Sequence, residues 1–389
     1  MKIGYFCNST NWDNKSYNQV LEETREIALY CDQNDWESIW FTEHHFSHEG
    51  MEICPNPLML SADIAARTKK IRIGQAATII TFWNPIRVAE DIALLDNLSN
   101  GRVEAGIGRG IYGREALNMN PDADMKDQAK NFRLFEETIN ILKKAWSQEF
   151  FNHKGEFYTY PAPDFEWQHD MSPPNEKFMN LKTNILEKIS IVPRPIQKPH
   201  PPLWQVVDSP SSIEWAAKND INTIMWIPTV ESLKKRFQIY KDARSEYKKR
   251  NVPMGEGVCL VRDMFIADTM EEAKEKAGEQ MVNYMRWVCH WRGLGTHMNP
   301  GEELPKTKNK LDLLSYDFLH KRNMLFGTVD YVIEKIEELE RELNLQYLQV
   351  WSNFPGVKHK DCMKSIKLFT ENIMPHFRNK GKKNIKQAS

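Results

Sequence analysis

The stretch IRIGQAATIITFWNPIRVAEDIALLDNLSNGRVEAGIGRG, residues 71–110, decides the fold. Residues 71–76 are a short β run that ends in small side chains. Residues 86–98 carry apolar positions at a period near 3.6, which predicts an amphipathic helix. Residues 103–107 are β-prone again. A strand, a helix and a strand in such close succession make a βαβ unit. Its two strands lie parallel, because the helix carries the chain back across the sheet.

The same alternation runs outward in both directions. Upstream, Lys2–Cys7 reads as a strand and 16–33 as a helix, with Val20, Leu21, Thr24, Ile27, Ala28 and Cys31 on one stripe; 37–41 reads as a second strand. Downstream come a long helix at 127–146 and strands at 203–207 and 221–227, with a helix at 211–218 between them. A charged helix at 231–250, a strand at 257–267, helices at 270–290 and 329–343, a strand at 347–351 and a helix at 360–377 complete the pattern. About eight strands alternating with about eight helices point to an α/β fold closed as a (β/α)8 TIM barrel, rather than an open doubly wound sheet. A plain barrel takes about 250 residues, so a chain of 389 has roughly 140 to place in insertions. Residues 1–378 are expected to form one barrel domain. Its insertions are expected near 161–183, rich in Pro, Asp and Asn, and near 291–310, which reads as a long loop after the seventh strand. Residues 379–389 are expected to be a basic, flexible tail.

Lys and Arg total 52 against 53 Asp and Glu, a net charge of −1. That balance gives no broad attraction to nucleic acid or to an anionic membrane. No apolar run approaches the length of a membrane span, and the N-terminus turns polar before a signal-peptide core could form. The cysteines (Cys7, Cys31, Cys54, Cys259, Cys289 and Cys362) lie far apart with no CxxC pair. Reduced thiols and a cytoplasmic location are expected.

Four constellations could carry chemistry. Thr42-Glu43-His44-His45 follows the second strand, on the side where barrels place their active sites, and imidazole suits acid–base work near neutrality. Backbone capping by these histidines is the duller alternative. A metal site is weaker still, for want of an obvious ligand set nearby. Gly106-Ile107-Gly108-Arg109-Gly110 places glycines at alternate positions where a strand ends. They would let a flat ring or an anion approach, with Arg109 as a phosphate partner, or else simply pack a strand tightly. Asp208-Ser209-Pro210-Ser211-Ser212 opens a helix, whose N-terminus either binds phosphate or is merely capped. Gly74-Gln75-Ala76-Ala77-Thr78 would leave room for a flat ring, although a packed core is the simpler reading.

Taken together, the ordered segments TEHHF (42–46), TKKIRIGQAATI (68–79), NPIRVAEDIALLDNLSNGR (84–102), GIGRGIY (106–112), GEFY (155–158), PRPIQKPHPPLW (193–204), SPSSIEWAA (209–217) and LFTENIMPHF (368–377) resemble the bacterial-luciferase-like flavin-dependent monooxygenases. The resemblance implies a (β/α)8 barrel binding FMN at the C-terminal end of its strands. It implies that a separate flavin reductase supplies the reduced FMN. A flavin peroxide formed with dioxygen would then oxygenate a small apolar organic substrate, such as an aldehyde, ketone or terpene. By position, His44 matches the acid–base histidine. Ala76 and Ala77 match a pair lining the isoalloxazine, often joined by a non-proline cis peptide. Arg109 matches the arginine on the flavin phosphate, and Asp208, Ser209 and Ser212 match the groups around the flavin and its phosphate. Gly108 stands where luciferase has a reactive cysteine, which argues against light emission. Arg133 is the candidate for a second phosphate arginine. Glu43 and His45 read as supporting or subunit-interface groups. The helix at 86–98 matches the family's dimer-forming helices, so a homodimer or a heterodimer with a related chain is expected. No metal is implied. Three other readings stay open: a deazaflavin-dependent dehydrogenase of the same fold, a non-catalytic flavin-binding subunit, and a sugar- or phosphate-binding barrel without flavin.

Overall fold

The computed structural model describes residues 1–304 and 309–378; the tail at 379–389 lies outside the described residues. Its strands of four residues or more are β1 (Lys2–Cys7), β2 (Ser38–Phe41), β3 (Arg72–Gln75), β4 (Val103–Gly108), β5 (Leu203–Val206), β6 (Asn222–Met225), β7 (Val258–Ile266), β8 (Met324–Gly327) and β9 (Tyr347–Trp351). β1 to β7 follow one another in parallel, and β9 pairs with both β7 and β1, closing an eight-stranded ring surrounded by helices. The fold is the (β/α)8 barrel expected from the alternation. β8 was not expected. Leu260 pairs with both Met225 and Leu348, while Asp263 pairs with both Met324 and Trp351. β6 and β8 therefore occupy successive stretches of one edge of β7, and β9 occupies the other. A four-residue strand, MLFG, is too short to show a period.

The strands are buried on both faces, as in a sheet covered by helices; every residue of β4 and β7 is buried. Inside the ring, the Trp40 and Trp204 rings meet edge-on at 5.5 Å, and Trp204 meets Tyr347 at 5.6 Å. The indole N–H of Trp204 donates to Glu104 at 2.6 Å, and Glu104 also pairs with Arg72. Two glycines exist for this packing. A Cβ on Gly74 would overlap the Trp40 ring, and one on Gly106 would overlap the Gln75 carbonyl oxygen. Helix starts follow their capping residues: Asn84 accepts from the Ile86 and Arg87 amides ahead of Pro85–Leu98, and Asp127 accepts from the Lys130 amide ahead of Gln128–Ser147.

The two insertions differ from each other. Residues 161–183 hang outside the ring, tied down by isolated bridges such as Glu166 to Ile185 and Met179 to Leu186. The segment at 291–310 is not a loop that directly follows a strand. A helical stretch beginning at Met270 runs after β7 to Arg292, so Trp291 and Arg292 are its last turn; Gly293, at φ 73°, then ends it. The sequence mark of that end is Gly293 itself.

Candidate active site

A cavity of about 250 Å³ opens at the C-terminal mouth of the barrel. Its walls come from the ends of successive strands: Phe6 and Asn8 at the end of β1, Thr42 to His44 after β2, Ala76 and Ala77 after β3, Gly108 to Tyr112 at the end of β4, Val206 to Ser209 at the end of β5, and Trp226 after β6. His44, Ala76, Ala77, Gly108, Arg109, Asp208, Ser209 and Ser212 all line it. The floor is made of small residues, Ala76, Ala77 and Gly108. The Ala76–Ala77 peptide is cis. A Cβ on Gly108 would stand 3.1 Å from the Ala77 Cβ and 3.0 Å from Ile79 Cδ1, so any side chain there would intrude on this floor. The alternate glycines thus serve two ends: Gly106 packs the strand, and Gly108 keeps the floor low.

One end of the cavity is an acid–base cluster. His44 is held by a carboxylate on each side, its Nδ1 3.2 Å from Glu115 Oε1 and its Nε2 3.5 Å from Glu52 Oε2. Burial pulls its pKa down, but Glu52 and Glu115 outweigh that pull and the pKa is raised. A neutral imidazole would turn one lone pair toward a carboxylate, so this geometry favours the imidazolium. Glu115 also accepts from the His45 backbone amide at 2.8 Å, which fixes the turn carrying both histidines. Glu43 anchors the same turn: it accepts from the Ile79 amide at 2.8 Å, the Trp83 indole at 2.8 Å and the His45 ring at 3.0 Å. Among the described residues, no group of three or more His, Cys, Asp and Glu stands where it could hold a metal ion.

The other end is cationic. The Arg109 guanidinium lies over the Phe132 ring at 5.5 Å, and its side-chain hydrogen bond to Asn131 Oδ1 is long at 3.4 Å. Burial lowers its pKa, and among the described residues it pairs with no carboxylate. Ser209, on the same wall, caps the helix Pro210–Lys218 by accepting from the Ser212 amide at 3.2 Å. Asp208 is bound to Arg292 at 3.2 Å, and its carbonyl accepts from Arg236. A half-buried guanidinium that has no counter-ion among the described residues, lining one cavity with a helix N-terminus, is a place for an anion.

Arg133 does not reach this cavity. It is exposed and pairs with Glu156 at 2.8 Å. No residue of 161–183 lines the cavity either. Conversely, sequence reading passed over Asn8, Glu52, Glu115, Tyr112, Trp226, Tyr284 and Arg292. Glu115 had a usable signal, since it lies three residues beyond Tyr112 in the GRGIYGRE run. Glu52, Tyr284 and Arg292 come from separate elements, and no motif marks them. The aromatic rings of Trp287 and Trp291 stand over Tyr112 at 5.3 and 5.9 Å and screen this end of the mouth.

Comparison with known proteins places these features in a family. The family model described as luciferase-like monooxygenase matches residues 1–174 and 175–344. The oxygenase component of the flavin-dependent trigonelline monooxygenase of Acinetobacter baylyi is 26% identical over 94% of this chain and 92% of its own. The solved structure of the oxygenating constituent of 3,6-diketocamphane monooxygenase from Pseudomonas putida, in complex with FMN, superposes with a TM-score of 0.78 at 21% identity, over 96% of this chain and 98% of that one. An F420-dependent secondary alcohol dehydrogenase superposes with a TM-score of 0.66 at 16% identity, over 96% and 98%. At these identities the two structural likenesses speak to the fold alone.

Proposed function

The chain belongs to the luciferase-like monooxygenase family and is an oxidoreductase, and from that premise we propose that it binds reduced FMN at the barrel mouth and oxygenates a small, apolar-bodied organic molecule. The observation that carries this reading is Arg109: half-buried, without a carboxylate partner, and on the same wall as the capped N-terminus of Pro210–Lys218. The residues fit the cofactor. Arg109, Ser209 and Ser212 would hold the phosphate. Ala76, Ala77 and Gly108 give a floor that a side chain at 108 would obstruct. Reduced FMN supplies the electrons with which dioxygen gives one atom to substrate and releases the other as water.

The protein's own part is to position, to move a proton and to keep water out. His44 holds a proton beside the cavity, steadied by Glu52 and Glu115, and can give it up there. Tyr112, backed by Trp287 and Trp291, limits solvent at that end. The small residues Ala76, Ala77 and Gly108, lining the same cavity as Arg109 and His44, support FMN over a bare sugar-phosphate ligand. His44 and Arg109 in one cavity argue for a catalytic rather than a merely supporting chain.

A separate flavin reductase is part of this reading, as is a cytoplasmic location, to which six buried, unpaired cysteines lend support. Among the described residues no helix is long and apolar enough to cross a membrane. Leu94 and Leu98 are exposed on the helix Pro85–Leu98 and support pairing with a second copy or a related chain. Residues 1–378 are read as one barrel domain. The test is anaerobic titration of the purified protein with FMN in both redox states, then rapid mixing with dioxygen. Tight binding of reduced FMN followed by oxygen consumption is expected. Binding of neither form, or a preference for a reduced deazaflavin, would overturn the proposal.

A further inference from the structure

Each proton that His44 gives up has to be replaced. Tyr112, Trp287 and Trp291 screen the mouth at this end, and a bound flavin and substrate would fill the cavity beneath them. Solvent then has no easy way to His44 from the mouth.

Behind His44 lies a chain of oriented hydrogen bonds. The Thr42 hydroxyl donates to Asn8 Oδ1 at 2.8 Å, which turns the Asn8 amide nitrogen toward the Tyr284 hydroxyl, 3.0 Å away. That hydroxyl accepts from Asn8 and donates to Glu52 Oε1 at 2.7 Å. The other oxygen of Glu52 faces His44 Nε2 at 3.5 Å, a contact that a small movement of the carboxylate would tighten. Glu52 thus has a tyrosine on one oxygen and the histidine on the other. Tyr284 also lines a second cavity, of about 230 Å³. Trp12, Asp13, Glu279 and Asn283 stand in its walls and are all exposed, so it opens to solvent. The main cavity and this one share Tyr284 as a wall. Burial holds the Tyr284 hydroxyl far above its ordinary pKa, so it does not stand as a phenolate. It has one proton to give and lone pairs to receive with, so it passes a proton by taking another at the same time.

We propose, on the reading of His44 as the cavity's proton donor, that Tyr284 and Glu52 form a relay that recharges His44 from the second cavity. His44 releases its Nε2 proton into the main cavity. Glu52 takes the Tyr284 hydroxyl proton on Oε1 while solvent in the second cavity returns one to Tyr284. A turn of the Glu52 carboxyl then presents its proton to the bared Nε2. One proton has moved from solvent to His44, and Glu52 and Tyr284 end as they began.

The test follows exchange of the His44 ring N–H with solvent, by NMR of protein labelled at its histidine nitrogens, with and without bound FMN. Tyr284→Phe keeps the ring and removes the hydroxyl. It should slow exchange about tenfold or more, compared at equal protonation of His44. Glu52→Gln keeps the shape, cannot carry the proton and should slow exchange as much. Unchanged exchange in either variant, once shown to be folded, overturns the relay. So does a slowing that a shifted His44 pKa accounts for in full, because Tyr284 would then only support the histidine. Exchange that Trp291→Ala speeds and Tyr284→Phe leaves alone would place the route at the mouth and overturn it too. Failure of FMN to bind, with Tyr284→Phe still slowing exchange in the free protein, would sink the flavin reading and leave the relay standing.

Discussion

Replacing Arg109 with alanine should separate the phosphate end of the cavity from the rest of it. In the free protein the guanidinium has little to lose. Its bond to Asn131 is 3.4 Å long, and its contact with the Phe132 ring, at 5.5 Å, is worth about 0.5–1 kcal/mol. Against that stands the burial of a charge with no carboxylate partner, the burial that lowers its pKa. The two roughly cancel, so the unliganded variant should unfold within about 1 kcal/mol of the parent. With FMN bound, the same guanidinium makes charge-assisted bonds to a phosphate, each worth about 1.5–3 kcal/mol. Arg109→Ala should therefore weaken FMN binding about ten- to hundredfold. Riboflavin, which lacks the phosphate, should bind the variant as it binds the parent. The assay is quenching of flavin fluorescence for both ligands, beside a urea melt of the unliganded proteins. Equal losses for FMN and riboflavin would refute the phosphate role, and a large loss of unliganded stability would show that Arg109 is a structural cation.

Three further outcomes follow from the geometry. Gly106→Ala would drive a methyl group into the Gln75 carbonyl of β3, a backbone atom that cannot swing aside. It should destabilise by at least the roughly 1–3 kcal/mol of ordinary overpacking, and a urea midpoint like the parent's would contradict the packing described. Glu115→Gln removes one of the two carboxylates that raise the His44 pKa, so His44 should lose its proton at a lower pH. Because the folded-state pKa is raised, this contribution to stability is fully present below the ordinary histidine value and is lost as pH rises through the folded one; the variant should show less of that pH dependence. An NMR titration of the His44 ring that comes out unmoved would count against the clamp. Arg133→Ala touches only an exposed pair with Glu156. It should leave FMN affinity and stability where they were, and a marked loss of FMN affinity would restore Arg133 to the phosphate site.

What the sequence made legible was whatever it encodes locally. The period of 86–98 and the β runs at 71–76 and 103–107 each specify their own element, and a parallel βαβ unit leaves few topologies once it repeats. The structure accordingly has the ring that the alternation implies. Elements with weak local codes were missed. MLFG at Met324–Gly327 has four residues and no period, yet takes an edge of β7 that the ring would otherwise leave open beyond β6. Trp291 and Arg292 sit before a glycine-rich run and read as loop, although the helix holds through them until Gly293 at φ 73°.

The site divides along the same line. Ala76, Ala77, Gly108 and Arg109 follow directly on strands, so their place at the mouth is a local consequence of where each strand ends. The partners of His44 lie outside its motif: Glu52 is further along the excursion after β2 and Glu115 is in a short helix after β4, while Tyr284, which bonds Glu52, is in the helix after β7. Ring closure brings Glu115 and Tyr284 to the turn that already carries His44 and Glu52. Closure also supplies a constraint that one chain can be read with. In a barrel of parallel strands, every C-terminal strand end opens on the same mouth, so a titratable residue in the connection after any strand is a candidate neighbour of those after all the others. Applied to the connections after β2, β4 and β7, that rule admits Glu52, Glu115 and Arg292 before any distance is known. It admits Arg133 as well, in the same connection after β4, and the structure then sets Arg133 aside on the outer side of its helix, paired with Glu156. Topology, once read from periodicity, thus narrows the chemistry further than the motifs do alone.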